Sequence, residues 1–334
     1  MNVVVTGAAG FLGRRLTDAL LDAQSPLPVA RLLLVDLAAP PPRAERDARV
    51  AALALDLAAP GAAERVVRAD CHVLFHLAAA VSGQAEAELE LGLRANFDAT
   101  RALADAARRR APALRFVFAS SVAVYGGEQT APPDERVAPA PRSSYGCAKA
   151  MAELLLSDYS RRGHLDARVV RLPTVSVRGG EANSAVTSFA SALVREPLRG
   201  AACAVPVDGA LRLWLCSPAA ATRNLLRAAT LAPGALGATR ALNLPGVSVA
   251  VRDMVAALRA AAGAAAAARV RWERDERVER IVASLPPALD HTRALRLGFD
   301  VDEDFADIIH KYITECEDLG INLDIHIKEL ECRS

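Results

Sequence analysis

The stretch TGAAGFLGRRL, Thr6 to Leu16, sets three glycines, Gly7, Gly10 and Gly13, in G-x-x-G-x-x-G spacing between an apolar run and an amphipathic one. The run before it, NVVVT at 2–6, reads as a strand; FLGRRLTDALLDA reads as a helix. Glycines at such a turn let backbone N–H groups come close to a pyrophosphate, and the helix N-terminus offers its partial positive charge to the anion. Asp36 closes the next strand-like run, RLLLVD at 31–36. A carboxylate there accepts hydrogen bonds from adenosine ribose hydroxyls and repels a 2′-phosphate, which predicts NAD rather than NADP, with nearby Arg43 weighing the other way.

Working outward, short β-rich runs recur: VAALALD at 50–56, HVLFHLA at 72–78, RFVFASS at 115–121 and ARVVRL at 167–172, with helical stretches such as LGLRANFDATRALADAARRR between them. Continuous apolar strands alternating with helices predict an α/β fold, a Rossmann-type doubly wound parallel sheet covered on both faces. Residues 1–172 are expected to form the dinucleotide-binding domain, and residues 173–310 mainly a smaller substrate-binding lobe, its chain partly interleaved with the sheet. The lobe is expected to hold a strand pair near CAVPV and LRLWLC and helices at 218–231 and 249–262. APPPR at 39–43 reads as a stiff exposed turn, AAAGAAAAAR at 260–269 as a helix end plus linker, and 311–334 as a terminal helix and tail with no assigned role.

The chain has 334 residues, 52% hydrophobic and 24% charged, with a formal net charge of +1, so no polyanionic partner such as nucleic acid is indicated. Its apolar runs are broken well short of the roughly 20 residues that span a bilayer, and no leader pattern precedes the first strand, so no membrane association and a cytoplasmic location are expected. The six cysteines lack C-x-x-C spacing, which points to buried or incidental thiols and to no metal site.

RFVFASS ends in Ser120 and Ser121 at the carboxyl edge of the predicted sheet, where hydroxyls face a bound ligand or simply satisfy the strand end. Downstream, Tyr145 and Lys149 stand four residues apart and share one face of the helix that begins in SSYGCAKAMAELLL. Alone, such a pair is as well suited to a solvated surface. A Gly-rich turn, a serine ending the fifth strand and then Tyr-x-x-x-Lys, in that order, point to catalysis.

With these motifs the sequence resembles the extended short-chain dehydrogenases/reductases, also called the NAD-dependent epimerase/dehydratase family. The similarity covers about residues 1–310, through TGAAGFLG, the ALD of Asp56, FHLAA, Asn96 in RANFDAT, SSVAVYGG, SYGCAK and a late LGF. Phrases such as VVRLPTVSVRGGEANSA and ERIVAS are most similar to the branch of that family that oxidises a four-carbon sugar acid, D-erythronate, to its 2-keto acid. The resemblance implies Ser121, Tyr145 and Lys149 as the catalytic set, Ser121 being preferred over Ser120 by its distance from Tyr125 of V-Y-G. It implies cofactor contacts from Gly7, Gly10, Phe11, Leu12, Gly13 and Asp36, from Asp56 and Leu57 at the adenine, and from Leu77, Ala78 and Ala79 beyond the fourth strand. Tyr145, Lys149, Pro173 and Val175 would border the nicotinamide end, and Asn96 either joins them or supports the site through its helix. The family commonly dimerises through the helices holding Asn96 and Tyr145, so a homodimer is expected.

In chemical terms, a tyrosine with a pKa of roughly 10 is a poor base near neutrality. A nearby lysine ammonium is expected to lower that value so that Tyr145 takes the alcohol proton while Ser121 holds the reacting oxygen. A sugar acid also needs a cation for its carboxylate and partners for its hydroxyls. Arg178 is the candidate clamp, with Ser82 and Asn183 for the hydroxyls. VSVRGG stands where nucleotide-sugar members usually read V-Y-G-P, which argues against a nucleotide sugar. A nucleotide-sugar epimerase or dehydratase, an L-threonine dehydrogenase and a non-catalytic dinucleotide sensor remain as rival readings.

Overall fold

In the computed structural model the apolar runs form β1 (Asn2–Thr6), β2 (Arg31–Asp36), β3 (Val50–Ala54), β4 (Val73–His76), β5 (Arg115–Ser121) and β6 (Asp166–Leu172). The strands β7 (Thr174–Val175), β8 (Cys203–Val205), β9 (Arg212–Cys216), β10 (Ala241–Asn243), β11 (Val247–Ala250) and β12 (Val270–Trp272) follow. The structure describes residues 1–38, 47–127, 130–180 and 184–325. A seven-stranded sheet runs in the order β10-β6-β5-β4-β1-β2-β3 with all its pairings parallel. Strand order reverses between β1 and β4, which opens a crevice at their carboxyl ends where ligands of doubly wound sheets bind.

Both faces of the sheet's centre are covered, which is why its inner strands are largely apolar; every residue of β4 is buried. On one face Leu16 and Leu20 of the helix Phe11–Leu21 pack with Leu225 and Leu226 of the helix Pro218–Thr230. On the other, Leu103, Ala104 and Ala107 of the helix Ala99–Arg110 meet Ala152 and Leu156 of the helix Ser144–Arg161. Alanine on these inner stripes keeps the helices close to the sheet. The chain beyond 172 returns to this body through the helix Pro218–Thr230 and β10. A separate apolar core unites Val205, Leu215, Met254 and Leu258 with Phe305, Ile308 and Ile309 of the helix Phe305–Asp318.

Three local expectations change. CAVPV and LRLWLC do not pair with each other: β8 pairs with β12 in parallel, whereas β9 joins β11 and β7. The seventh strand of the main sheet, β10, is only three residues long between Arg240 and Leu244, too short for any periodicity to show. In the Ala-rich segment, Gly263 at φ 88° ends one helix and a second turn, Ala264–Ala267, buries Ala266, so part of the expected linker is core. Among the described residues no helix is long and apolar enough to cross a membrane.

One buried polar cluster ties the helix Ser144–Arg161 to the sheet. Glu153 and Arg171 are both 3% exposed and joined at 2.6 Å. Glu153 also accepts the Ser120 hydroxyl at 2.5 Å, and Arg171 reaches the Tyr125 phenol, whose one proton lies between two acceptors, Asp134 O at 2.8 Å and Asn243 Oδ1 at 3.0 Å. Removing one partner of such a pair strands a charge in low dielectric. Glu153→Ala is therefore expected to lower the free energy of unfolding in urea by about 3–5 kcal/mol, and a loss below about 1 kcal/mol would contradict this role for the cluster.

Candidate active site

The turn after β1 is shaped by contacts that leave no room for side chains. Gly7 has φ 73° and donates its N–H to Val35 O at 2.9 Å. A Cβ on Gly7 would lie 2.6 Å from Ala78 N, and one on Gly13 only 2.0 Å from Gly7 O. The helix Phe11–Leu21 starts at Gly10 with no side-chain cap and no acidic residue in its first turn, so its leading N–H groups and partial positive charge face the crevice. Asp36 is anchored there by Ala9 N–H at 2.9 Å and Leu37 N–H at 2.7 Å, one bond to each carboxylate oxygen. Arg43 lies outside the described residues. A glycine cradle, an open helix start and a carboxylate at the end of β2 fit a dinucleotide.

The cavity over this turn measures about 690 Å³ and runs along the carboxyl ends of the strands. Gly7, Gly10, Phe11, Leu12, Gly13 and Asp36 line one end of it. Asp56, Leu57, Leu77, Ala78 and Ala79 follow along the wall, and Pro173 and Val175 stand beyond β6. Ser82, Ser121, Tyr145, Lys149 and Arg178 complete the set brought together here. Asn183 lies outside the described residues.

Asn96, one of the expected cofactor-binding positions, does not reach the cavity wall. It is 1% exposed, its Oδ1 accepts Ala80 N–H at 2.8 Å and its Nδ2 donates to Ala80 O at 3.1 Å. Both halves of the amide are spent on holding the loop after β4, so Asn96 positions that loop. His76 works beneath the same loop: Thr100 donates to Asn96 O at 2.9 Å and so accepts from His76 Nε2 at 2.8 Å, which leaves His76 Nδ1 to accept from Thr6 at 2.7 Å. Full burial drives the imidazole pKa down to about 3, with Lys149 adding to the effect, so the ring is neutral as this chain of bonds requires.

Ser143 caps the helix Ser144–Arg161 by accepting Gly146 N–H at 3.1 Å, which fixes Tyr145 in the first turn and Lys149 in the second. Lys149 is 1% exposed; its Nζ donates to Ala119 O at 2.8 Å and lies 4.6 Å from the Phe118 ring centre. Burial lowers its pKa to about 7, opposed by the Glu153 carboxylate one turn on. Ser120, the other serine ending β5, is occupied by Glu153. Ser121 accepts Ala123 N–H at 3.1 Å and keeps its own proton for the cavity, so the geometry gives a physical reason for the difference between two adjacent serines.

The electrostatics of Tyr145 differ from expectation. Burial pushes its pKa up to about 12, while a hydrogen bond with Ser121 and the charge of Arg178 pull it down. Lys149 turns its ammonium to Ala119 and over the Tyr145 ring, 5.6 Å from its centre, and the cation acting on the phenol is Arg178. Arg178 has its backbone N–H on Ser191 Oγ at 3.0 Å and its carbonyl held by Arg195 Nη1 at 2.9 Å, and its guanidinium forms no ion pair among the described residues. Ser82 accepts Val186 N–H at 3.2 Å and retains a proton to donate.

Sequence reasoning missed Glu153 and the wall residues Gln84, Thr187, Ile281 and Leu285. A charge spaced four residues beyond Lys149 on the same helical face was the available signal for Glu153. Ile281 and Leu285 come from more than a hundred residues beyond Tyr145, and no local pattern connects them to it.

Known proteins align with this chain along nearly its whole length. A protein of Cupriavidus necator named D-erythronate dehydrogenase is 48% identical over 328 residues, 96% of this chain and 99% of that protein. A Haemophilus influenzae protein of the same name is 42% identical, covering 94% of this chain and 99% of its own. The crystal structure titled nucleoside-diphosphate-sugar epimerase from Agrobacterium tumefaciens superposes with a TM-score of 0.89 at 40% identity, covering 96% of this chain and 95% of that one. Residues 3–216, which carry the glycine turn, Ser121, Tyr145 and Lys149, match the family described as NAD dependent epimerase/dehydratase, and the chain belongs to that family.

Proposed function

We propose that this protein oxidises D-erythronate to 2-dehydro-D-erythronate with NAD. The observation that carries the reading is Arg178: a guanidinium without a carboxylate partner among the described residues, brought by the loop after β7 to the same cavity wall as Ser121, Tyr145 and Lys149. Burial lowers its pKa, as does the charge of Arg195, and a substrate carboxylate is the partner that offsets this cost. The D-erythronate dehydrogenases of C. necator and H. influenzae support the same substrate.

Gly7, Gly10, Gly13 and Asp36 would hold NAD at one end of the cavity and Pro173 and Val175 would border it at the other, and the bound cofactor would supply the hydride acceptor. Arg178 orients the acid by its carboxylate, and Ser82 serves a hydroxyl of the polyol. Ser121 donates a hydrogen bond to the reacting oxygen and Tyr145 accepts the hydroxyl proton. Lys149, held by Ala119, keeps a positive charge beside the phenol ring and has donors left for a ribose. The products are the keto acid, NADH and one proton.

A division of labour follows, with residues 1–172 binding dinucleotide and residues 173–310 mainly contributing substrate contacts. A homodimer is part of the proposal: Leu154, on the outer face of the Tyr145 helix, is 66% exposed, and Leu89, on the short helix leading to Asn96, is 55% exposed. A cytoplasmic location is supported by Cys71, Cys147, Cys203, Cys216 and Cys316 all being free thiols. The kinship with the A. tumefaciens protein keeps a nucleotide-sugar epimerase as the second reading.

Net NADH formation across a panel of free four-carbon sugar acids separates the two, with D-erythronate expected to give the highest kcat/KM; turnover of a nucleotide sugar without NADH release would support the rival. Tyr145→Phe removes the proton acceptor and is expected to lower kcat by about 10²–10⁴-fold, measured as NADH absorbance at saturating substrate. Oxidation should accelerate with rising pH as the phenolate becomes accessible. Because Arg178 favours the phenolate, Arg178→Gln should move that rising limb to higher pH besides raising KM for the acid, and an unmoved limb would contradict the assigned coupling.

A further inference from the structure

A second cavity of about 850 Å³ lies beside the first, and the two share Ile281. The same three chain segments wall both. Gln84 and Ser143 face the catalytic cavity where their near neighbours Glu86 and Arg142 face the second; Leu285 and Ser284 divide in the same way. The second cavity is thus an antechamber to the first, and among the described residues its charges are Arg142, Arg277 and Arg280 against the carboxylate of Glu86. All three arginines are exposed and, among the described residues, none has an ion-pair partner, whereas Arg136, Arg161 and Arg274 elsewhere on the surface are paired with Asp134, Asp158 and Glu279. Glu86 is already engaged by Ser144 N–H at 3.0 Å, and Asp275 beside Arg277 caps the helix Glu276–Ala283. The local excess of positive charge stands out in a chain whose formal net charge is only +1.

We propose that this antechamber is an anion-binding site that captures the carboxylate-bearing substrate and raises its local concentration at the mouth of the catalytic cavity. The inference rests on the sugar-acid reading above and deepens it: the ERIVAS segment, which carries Arg280 and Ile281, selects anionic substrates through charge at the entrance while Arg178 holds them inside. Guanidinia in a concave, partly enclosed site focus such a field, and salt screens it over a Debye length of about 10 Å at 0.1 M and about 3 Å at 1 M.

The test compares wild type with R142Q/R277Q/R280Q and R142K/R277K/R280K, all exposed positions. With D-erythronate at low ionic strength, the Gln triple is expected to lose about fivefold in kcat/KM through a raised KM, the Lys triple to lose little, and the gap to close near about 1 M salt. A Gln triple equal to wild type at low salt, or a loss shared by the Lys triple and independent of salt, would overturn the proposal. Calorimetric titration of the NAD-saturated protein with inorganic phosphate at low salt needs no turnover: wild type should show a binding component that the Gln triple lacks, and identical isotherms in both would overturn it. Absence of NADH formation from D-erythronate in wild type would count against the substrate reading, and the titration would still decide the antechamber.

Discussion

The site depends on the buried hydrogen bond from Lys149 Nζ to Ala119 O, 2.8 Å long, which joins the catalytic helix to the end of β5. Strand pairing fixes where Ala119 and Ser121 lie, since Ala119 opposes Val170 and Ser121 opposes Leu172 in β6. The helix brings Tyr145 one turn ahead of Lys149. The Lys149–Ala119 contact, with the Ser120–Glu153 bond one turn further on, therefore fixes the spacing between Ser121 and Tyr145, and the Lys149 side chain that makes it is buried. Glu153, a further turn along, faces the same environment with the opposite charge and is locked by Arg171 and Ser120. A catalytic face is stacked on a structural one along one helix.

The burial that holds this geometry works against its chemistry. Enclosing Tyr145 favours its neutral form, and enclosing Lys149 favours loss of its charge. The site meets both with fixed partners: Ser121 and Arg178 act on the phenol, and Glu153 acts on the ammonium. In the proposed reaction Arg178 would have two tasks, orienting a carboxylate and favouring the phenolate, and occupying one with substrate would alter the other. On the opposite side the loop Leu77–Ala80 is held from below by Asn96 and by the His76, Thr6 and Thr100 chain, so the wall facing the cofactor is also preset.

Much of this was legible in the sequence because the carriers are local. Gly7, Gly10 and Gly13 declare a turn by spacing alone, and six strands of the main sheet announce themselves as apolar runs. The Tyr145–Lys149 pair is a one-turn relation. What stayed hidden depends on distant segments meeting: Glu153 engages Ser120 across the helix–sheet interface, and β10 is a strand only because β6 is beside it. Arg178 as a second cation near Tyr145, besides Lys149, was hidden in the same way, since it arrives from beyond β7. The antechamber arginines come from two segments more than a hundred residues apart, and composition, at a net charge of +1, concealed them.

The central claim is that Ser121, Tyr145, Lys149 and Arg178 form one site that moves a hydride from a sugar acid. Label transfer tests it most directly: D-erythronate carrying deuterium at carbon 2 is incubated with the enzyme and NAD, and the dinucleotide is examined by mass spectrometry. The account predicts deuterium in the reduced nicotinamide of the wild-type reaction and a loss of that transfer in Tyr145→Phe. Deuterium released to water, or retained in the acid while the dinucleotide stays unlabelled, would contradict it.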